Sequence, residues 1–359
     1  MDMNIDFYIS SLSGGGAENV LITLAKEFQR KGNHVSITSL EKRPQFYEVP
    51  GEIELIKYDH TEKGKLKEHI DDFLAVRKQI KNRQKTDVCI SFLSRCNWLV
   101  LICSFFLKRK VVVCDRNNPL KEHSKAIFWL SCQLYRSASA IVVQTVQIKN
   151  FYPKFLQNKI YIIENPLDED RLIKQCAEKM VCKENLIISM GRLEKQKDFK
   201  TLINAFAQIE KKFPEWNVCI FGKGDMKNEL QELINKYGLE SRIFLRGRTE
   251  TPFLELKKAK VFVLSSNYEG FPNVLCEGLY AGLACVSSDC ISGPKELITD
   301  GVNGFLFPVG DAEALSDKLT LMLSSEELRA KLGKNGKTSV KKLFLPEIIK
   351  KWDGILRTI

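Results

Sequence analysis

The segment at residues 260–282, K-V-F-V-L-S-S-N-Y-E-G-F-P-N-V-L-C-E-G-L-Y-A-G, contains the pattern from which the fold class can be predicted. It begins with an apolar run that is typical of a buried strand, crosses a loop containing glycine and proline, and enters a helical stretch near Asn273. A strand followed by a short loop and a helix is the repeating unit of parallel sheets covered by helices. The segment therefore predicts one such unit of an α/β domain.

The same unit is repeated on both sides of this segment. In the C-terminal half, a helix is predicted over about 199–212, and further apolar runs predict strands at 185–191, 217–224, 242–247, 284–288 and 304–310. In the N-terminal half, similar runs predict strands at 5–10, 34–40, 53–58, 87–93, 110–115 and 140–145. Two doubly wound sheets in tandem follow from this alternation.

The stretch N-P-L-D-E-D-R at 165–171 interrupts the pattern, because Asn-Pro breaks regular structure. We therefore predict an α/β protein with two Rossmann-like domains, residues 1–165 and 166–335. The end of the chain predicts two helices broken around Pro346. We expect its last part, residues 336–359, to pack back on the N-terminal domain.

The composition excludes a disordered chain, because 359 residues that are 44% hydrophobic supply apolar material for about two packed domains. The net charge of +11 indicates a polyanionic partner, such as nucleic acid, anionic lipid or a phosphorylated ligand.

Eleven cysteines without a C-x-x-C pair favour a reducing compartment. The N-terminus does not resemble a signal peptide, and the longest apolar run, ten residues at 98–107, is far below the about 20 needed to span a bilayer. We expect a cytoplasmic protein.

The motif S-G-G-G-A-E at 13–18 lies between the first predicted strand and the first helix. Glycines there let backbone amides approach a phosphate, and the start of the helix adds the positive end of its dipole. A tight turn explains three glycines about as well. The spacing is not that of a dinucleotide-binding G-x-G-x-x-G motif.

The motif G-R-L-E-K-Q-K at 191–197 follows a predicted strand directly. Arg192 and Lys197 are therefore expected at the carboxyl edge of the second sheet, where sheets of this kind bind ligands. Two cations at this edge can neutralise a diphosphate leaving group. The alternative is a solvated basic turn.

The motif E-G-F-P-N-V-L-C-E at 269–277 is the most specific of the three. The exposed amides at the start of its helix can hold phosphate oxygens. Glu269 is placed to accept hydrogen bonds from sugar hydroxyls, and Glu277, a turn into the helix, is expected near a ribose.

Five motifs in this order resemble the retaining glycosyltransferases of family 4: S-G-G-G-A-E, G-R-L-E-K-Q-K-D-F, F-G-K-G-D, F-L-R-G-R and S-S-N-Y-E-G-F-P-N-V-L-C-E-G-L-Y-A-G. The resemblance covers essentially the whole chain and is strongest over 186–311. It implies the GT-B fold, in which an N-terminal acceptor-binding domain and a C-terminal nucleotide-sugar-binding domain face each other across a cleft. In particular, the chain is similar to bacterial transferases that add hexosamines to undecaprenyl-diphosphate-linked glycans.

The resemblance also implies roles for individual residues. The family's paired glutamates are matched by Glu269, on the donor sugar, and Glu277, on the ribose, while Arg192 and Lys197 would contact the diphosphate. UDP is the expected nucleotide, with its base near Gly222 and the loop after Arg246. The further residues expected to line the donor site are Gly15, Gly16, Gly222, Arg246, Gly270, Phe271, Pro272, Asn273, Val274 and Leu275.

One position departs from the family pattern. Many relatives carry a histidine after the strand that ends near residue 114, whereas this chain has C-D-R-N-N-P, with Arg116 at that place. An arginine cannot act as a base. Arg116 could hold an acceptor phosphate or the hydroxyls of the donor sugar, or it could form a structural ion pair with Asp115 or Glu122.

Retention without an evident enzymic nucleophile implies front-face substitution, in which a diphosphate oxygen of the donor takes the acceptor proton. We expect no metal cofactor, because the cysteines and the four histidines are scattered. The D-E-D stretch at 168–170 looks like a metal motif of another glycosyltransferase fold, but its place in the linker favours helix capping.

Residues 63–85 carry eight basic and three acidic side chains with apolar residues between them. Together with the basic run at 108–110, this segment suits an anionic membrane surface or a lipid diphosphate. We therefore expect a peripheral protein on the inner face of the plasma membrane; an ordinary solvated helix face is the alternative. The membrane contacts would be Lys63, Lys65, Lys67, Arg77, Lys78, Lys81, Lys108, Arg109 and Lys110.

These observations predict a transferase that moves a hexose or N-acetylhexosamine from a UDP-sugar to a lipid-linked saccharide in bacterial surface glycan biosynthesis. A hydrolase or epimerase of sugar nucleotides with the same fold is the alternative among enzymes. A nucleic-acid-binding protein is the alternative from another class, but basic residues interleaved with stacking aromatics are missing from the sequence.

Overall fold

The computed structural model describes residues 3–41, 45–58, 65–83, 85–122, 124–176 and 182–359. The chain divides into two compact units. Unit 1 comprises Met1–Pro166 together with Pro346–Ile359, and unit 2 comprises Leu167–Leu345.

Unit 1 is built on a parallel sheet of seven strands in the order β3-β2-β1-β4-β5-β6-β7. The strands are β1 (Asn4–Ile9), β2 (His34–Ser39), β3 (Glu54–Lys57), β4 (Val88–Phe92), β5 (Lys110–Cys114), β6 (Ala140–Val143) and β7 (Ile160–Ile162). The helices between them are α1 (Gly16–Arg30), α2 (Lys65–Asn82), α3 (Ser94–Ser104), α4 (Pro119–Glu122), α5 (Lys125–Leu134) and α6 (Val146–Phe151).

The central strands of this sheet are buried on both faces, as their continuous apolar runs predict. Ile5 of β1 pairs with Val35 of β2 on one side and with Val88 of β4 on the other. Since the strands are parallel, their carboxyl ends lie at one edge of the sheet, where the glycine motif and Arg116 follow β1 and β5.

Unit 2 contains a second parallel sheet, of six strands in the order β10-β9-β8-β11-β12-β13. The strands are β8 (Leu186–Met190), β9 (Asn217–Phe221), β10 (Ile243–Gly247), β11 (Val261–Leu264), β12 (Ala284–Ser288) and β13 (Phe305–Phe307). The helices are α7 (Glu169–Lys174), α8 (Phe199–Ile209), α9 (Lys227–Lys236), α10 (Pro252–Lys258), α11 (Asn273–Tyr280), α12 (Pro294–Leu297), α13 (Ala312–Ser324) and α14 (Glu326–Ser339).

The last helix, α15 (Leu345–Thr358), supplies the C-terminal part of unit 1. Its buried Trp352 lies edge-on to the ring of Phe28 on α1, with the ring centroids 6.5 Å apart. Asp353 of α15 also pairs with Lys31 at the end of α1. The core of unit 1 is thus closed by residues that follow the whole of unit 2 in the chain.

The predicted α/β architecture with two doubly wound sheets is confirmed, and all twelve predicted strands are present. Strand β7 was not predicted, because only three residues, Ile160–Ile162, form it at the edge of the sheet. The helix predicted over 199–212 ends at Ile209. Pro346 lies in the first turn of α15, where a proline lacks no intrahelical hydrogen bond.

Candidate active site

Two loops meet at the carboxyl edge of the unit 2 sheet, because β8 and β11 are neighbouring parallel strands. The loop after β8 contains Arg192 and Lys197, and the loop after β11 contains Glu269. The amide of Asn267 donates to the carbonyl of Gln196 at 2.8 Å, and the Gln196 side chain donates to the carbonyl of Tyr268 at 3.0 Å. These bonds fix the two loops against each other.

Lys197 and Glu269 form a buried ion pair between these loops. Lys197 Nζ lies 2.6 Å from Glu269 Oε1, and the side chains are 15% and 6% exposed. Ser266 Oγ donates to the same carboxylate oxygen at 2.6 Å. Glu269 Oε1 is therefore a hydrogen-bond acceptor whose orientation is set by two donors.

Arg192 differs from Lys197 in its exposure. Its side chain is 65% exposed and its Nη1 lies 3.0 Å from Glu194 Oε1. A pair this exposed contributes little to stability. The Arg192 guanidinium is thus more accessible to a ligand than the Lys197 ammonium, which is 15% exposed.

The loop from Gly270 to Pro272 leads into α11 and rests on a second loop that the sequence did not single out. Ser292 Oγ donates to the carbonyl of Gly270 at 2.8 Å. Ser292 is buried and has a left-handed backbone with φ of 73°, which is unfavourable for a residue other than glycine. At Gly293, a Cβ atom would lie 2.5 Å from Pro272 Cδ. The close approach of these loops shapes the start of α11.

At the start of α11 the expected phosphate donors are in part already bonded. The amide of Leu275 donates to the carbonyl of Pro272 at 3.0 Å, which closes the first turn of the helix. Phe271 and Pro272 are buried, whereas Asn273 and Val274 are partly exposed.

Gly222, at the end of β9, packs against the backbone of the loop after β8. A Cβ atom at this position would lie 1.8 Å from the carbonyl oxygen of Gly191, so no larger residue fits. Arg246 on β10 is exposed, and its guanidinium lies 4.6 Å from the centre of the Phe244 ring. Gly222 directly follows β9, the neighbour of β8, and Arg246 lies on β10, the next strand outward.

Glu277, in the second turn of α11, forms an ion pair inside unit 2. Arg171 Nη2 on α7 lies 2.9 Å from Glu277 Oε1. Burial raises the pKa of the Glu277 carboxyl, and the Arg171 guanidinium opposes that rise. No local pattern in the sequence indicates this pair, because 106 residues separate its members.

In unit 1 the glycine motif binds a carboxylate of its own chain. The amides of Gly14 and Gly15 both donate to Glu18 Oε2, the second at 3.0 Å, and Ser11 Oγ donates to Oε1 at 3.1 Å. Glu18 is buried in the first turn of α1, where it caps the helix. The Gly15 amide that we expected beside a diphosphate is thus occupied by Glu18 in this structure. The same turn begins α1 at Gly16.

Arg116, directly after β5, has an unusual environment for a cation. Its Nη1 donates to Asn165 Oδ1 at 2.7 Å, and its guanidinium lies 4.4 Å from the centre of the Phe92 ring. The Nε and Nη2 atoms are buried and have no hydrogen-bond partner among the described residues. Burial lowers the pKa of the guanidinium.

The structural alternative for Arg116 was an ion pair with Asp115 or Glu122. The Asp115 carboxylate instead accepts hydrogen bonds from Asn97 Nδ2 and Tyr135 Oη, each at 2.8 Å, and from Tyr152 Oη. The side chain of Glu122 lies outside the described residues. The charge of Asp115 nevertheless acts on the Arg116 guanidinium, because it raises the pKa of that group against the effect of burial.

The structure also describes part of the basic surface predicted at residues 63–85 and 108–110. Arg77 donates to the carbonyls of Cys103 and Phe105, at 3.0 and 3.3 Å, and Arg109 donates to those of Ile80 and Thr86, both at 3.4 Å. These two arginines therefore have structural roles. The exposed lysines of this surface among the described side chains are Lys78, Lys81, Lys85, Lys108 and Lys110. Lys63 and the side chains of Lys65 and Lys67 lie outside the described residues.

Three further features concern metals, thiols and membranes. Across the ranges that the structure describes, no group of three or more His, Cys, Asp or Glu side chains could hold a metal ion, and no helix is long and apolar enough to cross a bilayer. Asp168 of the D-E-D stretch accepts from the amide of Arg171 at 3.0 Å and so caps α7, as predicted. Burial raises the pKa of the Cys89 and Cys96 thiols to about 12, so neither is a nucleophile at neutral pH.

Comparison with known proteins identifies the family. Residues 173–339 match the model of glycosyl transferases group 1, and residues 14–171 match that of glycosyltransferase family 4. A Campylobacter jejuni α-1,4-N-acetyl-D-galactosaminyltransferase, named for the acceptor GalNAc-α-(1→4)-GalNAc-α-(1→3)-diNAcBac-PP-undecaprenol, is 30% identical over 98% of this chain and 97% of its own.

A second protein of the same organism, N-acetylgalactosamine-N,N′-diacetylbacillosaminyl-diphospho-undecaprenol 4-α-N-acetylgalactosaminyltransferase, is 29% identical over 94% of both chains. Among solved structures, Anabaena Alr3699/HepE in complex with UDP and glucose superimposes with a TM-score of 0.83 at 19% identity, over 99% of this chain and 100% of that one. The structural match to this protein shows that the chain has the same fold. The predicted resemblance is thereby confirmed: the chain belongs to the glycosyltransferases of the GT-B fold.

Proposed function

We propose that this glycosyltransferase moves an N-acetylhexosamine or a hexose from a UDP-sugar, with retention of configuration, to a lipid-linked saccharide in bacterial surface glycan biosynthesis. Two relatives that are about 30% identical over nearly the whole chain are named for acceptors on diphospho-undecaprenol, which supports this acceptor class. The donor sugar in both names is N-acetylgalactosamine. A UDP-N-acetylhexosamine is therefore the first donor to test.

The observation that carries the proposal is the buried pair of Lys197 and Glu269 at the carboxyl edge of the unit 2 sheet. In the proposed complex, Glu269 accepts hydrogen bonds from the donor sugar, while Lys197 and the exposed Arg192 contact the diphosphate. Glu277 accepts from the ribose hydroxyls. The partly exposed residues at the start of α11 contribute amides to the phosphate oxygens.

The proposed reaction is a front-face substitution that needs no metal. The bond between C1 of the donor sugar and the diphosphate oxygen breaks, the acceptor oxygen bonds to C1 on the same face, and the acceptor proton passes to the departing diphosphate. Glu269 suits a positioning role in this step, because its Oε1 already accepts from Lys197 and Ser266. The cations stabilise the charge that develops on the leaving group.

In unit 1, Arg116 is proposed to bind an anionic group of the acceptor, such as its diphosphate. A buried guanidinium with two N–H groups lacking partners among the described residues is costly without an anion. The hydroxyls of the donor sugar would be weaker partners for a full charge.

We further propose that unit 1 contacts an anionic membrane through the turn after α3. Phe105 and Phe106 are exposed there, Phe106 to 89%, and their rings lie edge to face with centroids 5.1 Å apart. The exposed Lys108 and Lys110 follow directly. Exposed aromatic rings next to lysines suit the interface of a membrane that holds a lipid-linked acceptor.

In the decisive experiment, the protein is incubated with each of a panel of UDP-sugars and with lipid-linked saccharide acceptors. The release of UDP and the formation of the glycosylated product are measured. Glu269→Gln should lower turnover sharply, and Arg192→Ala should cost roughly 10²- to 10³-fold in rate. Lys195→Ala, an exposed lysine in the same loop, is the matched control and should retain activity. Near wild-type transfer by Glu269→Gln would refute the site. Free sugar or an epimerised donor in place of a glycosylated acceptor would refute transfer.

A further inference from the structure

The short helix α7 begins two residues after the point where the chain passes from unit 1 to unit 2, and it carries two contacts to α11. Arg171 bonds Glu277 at 2.9 Å, and Glu169 Oε1 accepts from Tyr280 Oη at 3.0 Å. Glu277 and Tyr280 are three residues apart and so share a face of α11. The helix α7 is anchored by Leu172, which is fully buried.

Arg171 is the cation that bonds the Glu277 carboxylate among the described residues. The side chain of Glu277 is 15% exposed, so its carboxylate remains accessible to a ligand. The same carboxylate is held in place by its ion pair with Arg171. The Nε atom of Arg171 is buried and has no hydrogen-bond partner among the described residues. The described ion pair of this guanidinium is therefore with Glu277.

We propose that Arg171 is a positioning residue for donor binding, which holds the Glu277 carboxylate in the orientation that receives the ribose hydroxyls. The inference rests on the proposed function, in which Glu277 binds the ribose. Arg171 itself does not touch the donor. Its contribution passes through the 2.9 Å bond to Oε1.

Charged groups surround Glu277 on the elements that pack near it. Glu169 and Asp170 on α7 are acidic, and Lys337 of α14 lies 5.6 Å from the centre of the Tyr280 ring. Burial raises the pKa of the neighbouring Cys276, and the charge of Lys342 opposes that rise. Burial raises the pKa of Glu277, and Arg171 is the charged group that lowers it. Without Arg171 the pKa rises further, so a smaller fraction of Glu277 is ionised at a given pH.

The direction of the pH dependence is set by the ionisation of Glu277. A neutral carboxyl is a weaker acceptor than a carboxylate, by about tenfold in binding. Arg171→Gln should therefore weaken donor binding at low pH, and the loss should shrink as the pH rises and Glu277 ionises. In the wild type the corresponding loss should occur at lower pH, because Arg171 lowers the pKa of Glu277 relative to the variant.

The test measures binding of UDP-N-acetylgalactosamine by calorimetry from about pH 5.5 to 8.5, around the range where a carboxyl with a raised pKa titrates. The diphosphate of this donor is esterified on both sides, so its own charge does not change over that range. Arg171→Gln should lose about tenfold in affinity at the acidic end. Arg171→Lys, which keeps the charge, should recover part of the loss. Lys174→Gln, an exposed lysine on the same helix, should bind like the wild type.

A double variant separates positioning from general damage to the fold. If Arg171 acts through Glu277, then Arg171→Gln should add nothing in a Glu277→Gln background. Neither Glu277→Gln nor the double variant should show the pH dependence, because both lack the Glu277 carboxyl. Additive losses, or a pH-independent loss in Arg171→Gln, would overturn the inference. If Arg171→Gln does not fold, the pH profile of Arg171→Lys decides in its place. A wild type that binds no donor, or a Glu277→Gln variant with unchanged affinity, would instead overturn the proposed function.

Discussion

Replacing Lys197 by methionine tests the buried pair with Glu269 most directly. The methionine keeps most of the volume of the lysine and removes its ammonium, which leaves the Glu269 carboxylate, 6% exposed, with Ser266 as its remaining described donor. Breaking a buried pair by removing one partner typically costs about 3 kcal/mol or more, because an uncompensated charge stays buried. For a unit of about 180 residues this corresponds to a fall in Tm of roughly 6–12 °C.

Differential scanning calorimetry would measure this fall, since it can separate the transitions of two units. Lys195→Met removes a neighbouring exposed lysine and should leave the Tm unchanged. The double variant Lys197→Met/Glu269→Gln removes both charges and should regain most of the lost stability, because an amide oxygen can still accept from Ser266. A Lys197→Met protein as stable as the wild type would refute the buried pair, and so would a double variant that is less stable than the single one.

Three other perturbations test separate parts of the structure. Phe106→Ser should weaken sedimentation with phosphatidylglycerol vesicles, while Leu321→Ser, an exposed leucine of unit 2, should not; equal binding by both would contradict the membrane contact. Gly222→Ala should abolish donor binding or folding of unit 2, because its Cβ would lie 1.8 Å from the Gly191 carbonyl oxygen. The control Gly301→Ala has no atom near its Cβ and should lose only about 1 kcal/mol of stability, because its φ is positive. A fully active Gly222→Ala would show that the loops can separate. Trp352→Ala should destabilise unit 1 by about 3–5 kcal/mol through the cavity beside Phe28, measured by urea unfolding, with exposed Lys350→Ala as the neutral control.

The architecture could be predicted from the sequence because parallel strands that are buried on both faces consist of consecutive apolar residues. The run K-V-V-V-C at 110–114 became the buried β5, and twelve of the thirteen strands were found in this way. Strand β7 has only three residues, too few for a periodic pattern. Spacing also indicated which motifs follow strands and so share the edge of a sheet, as Arg192 and Glu269 do.

What the sequence could not predict is which groups bond each other across long separations. Arg171 and Glu277 are 106 residues apart, and nothing local marks either as the partner of the other. The glycine motif has the composition of a phosphate loop, yet its amides at Gly14 and Gly15 bind Glu18 in the structure. Arg77 belongs to the basic stretch that was predicted to contact a membrane, and its guanidinium donates to the carbonyls of Cys103 and Phe105. In each case the partner depends on tertiary packing.

Because α15 closes the core of unit 1, the order of synthesis on the ribosome matters for this chain. The about 180 residues of unit 2 emerge between the two segments of unit 1, which at 5–20 residues per second takes roughly 10–40 s. During that time Phe28 lacks Trp352 and presents apolar surface to which chaperones can bind. Unit 2, which is continuous in the chain, can complete its own core first.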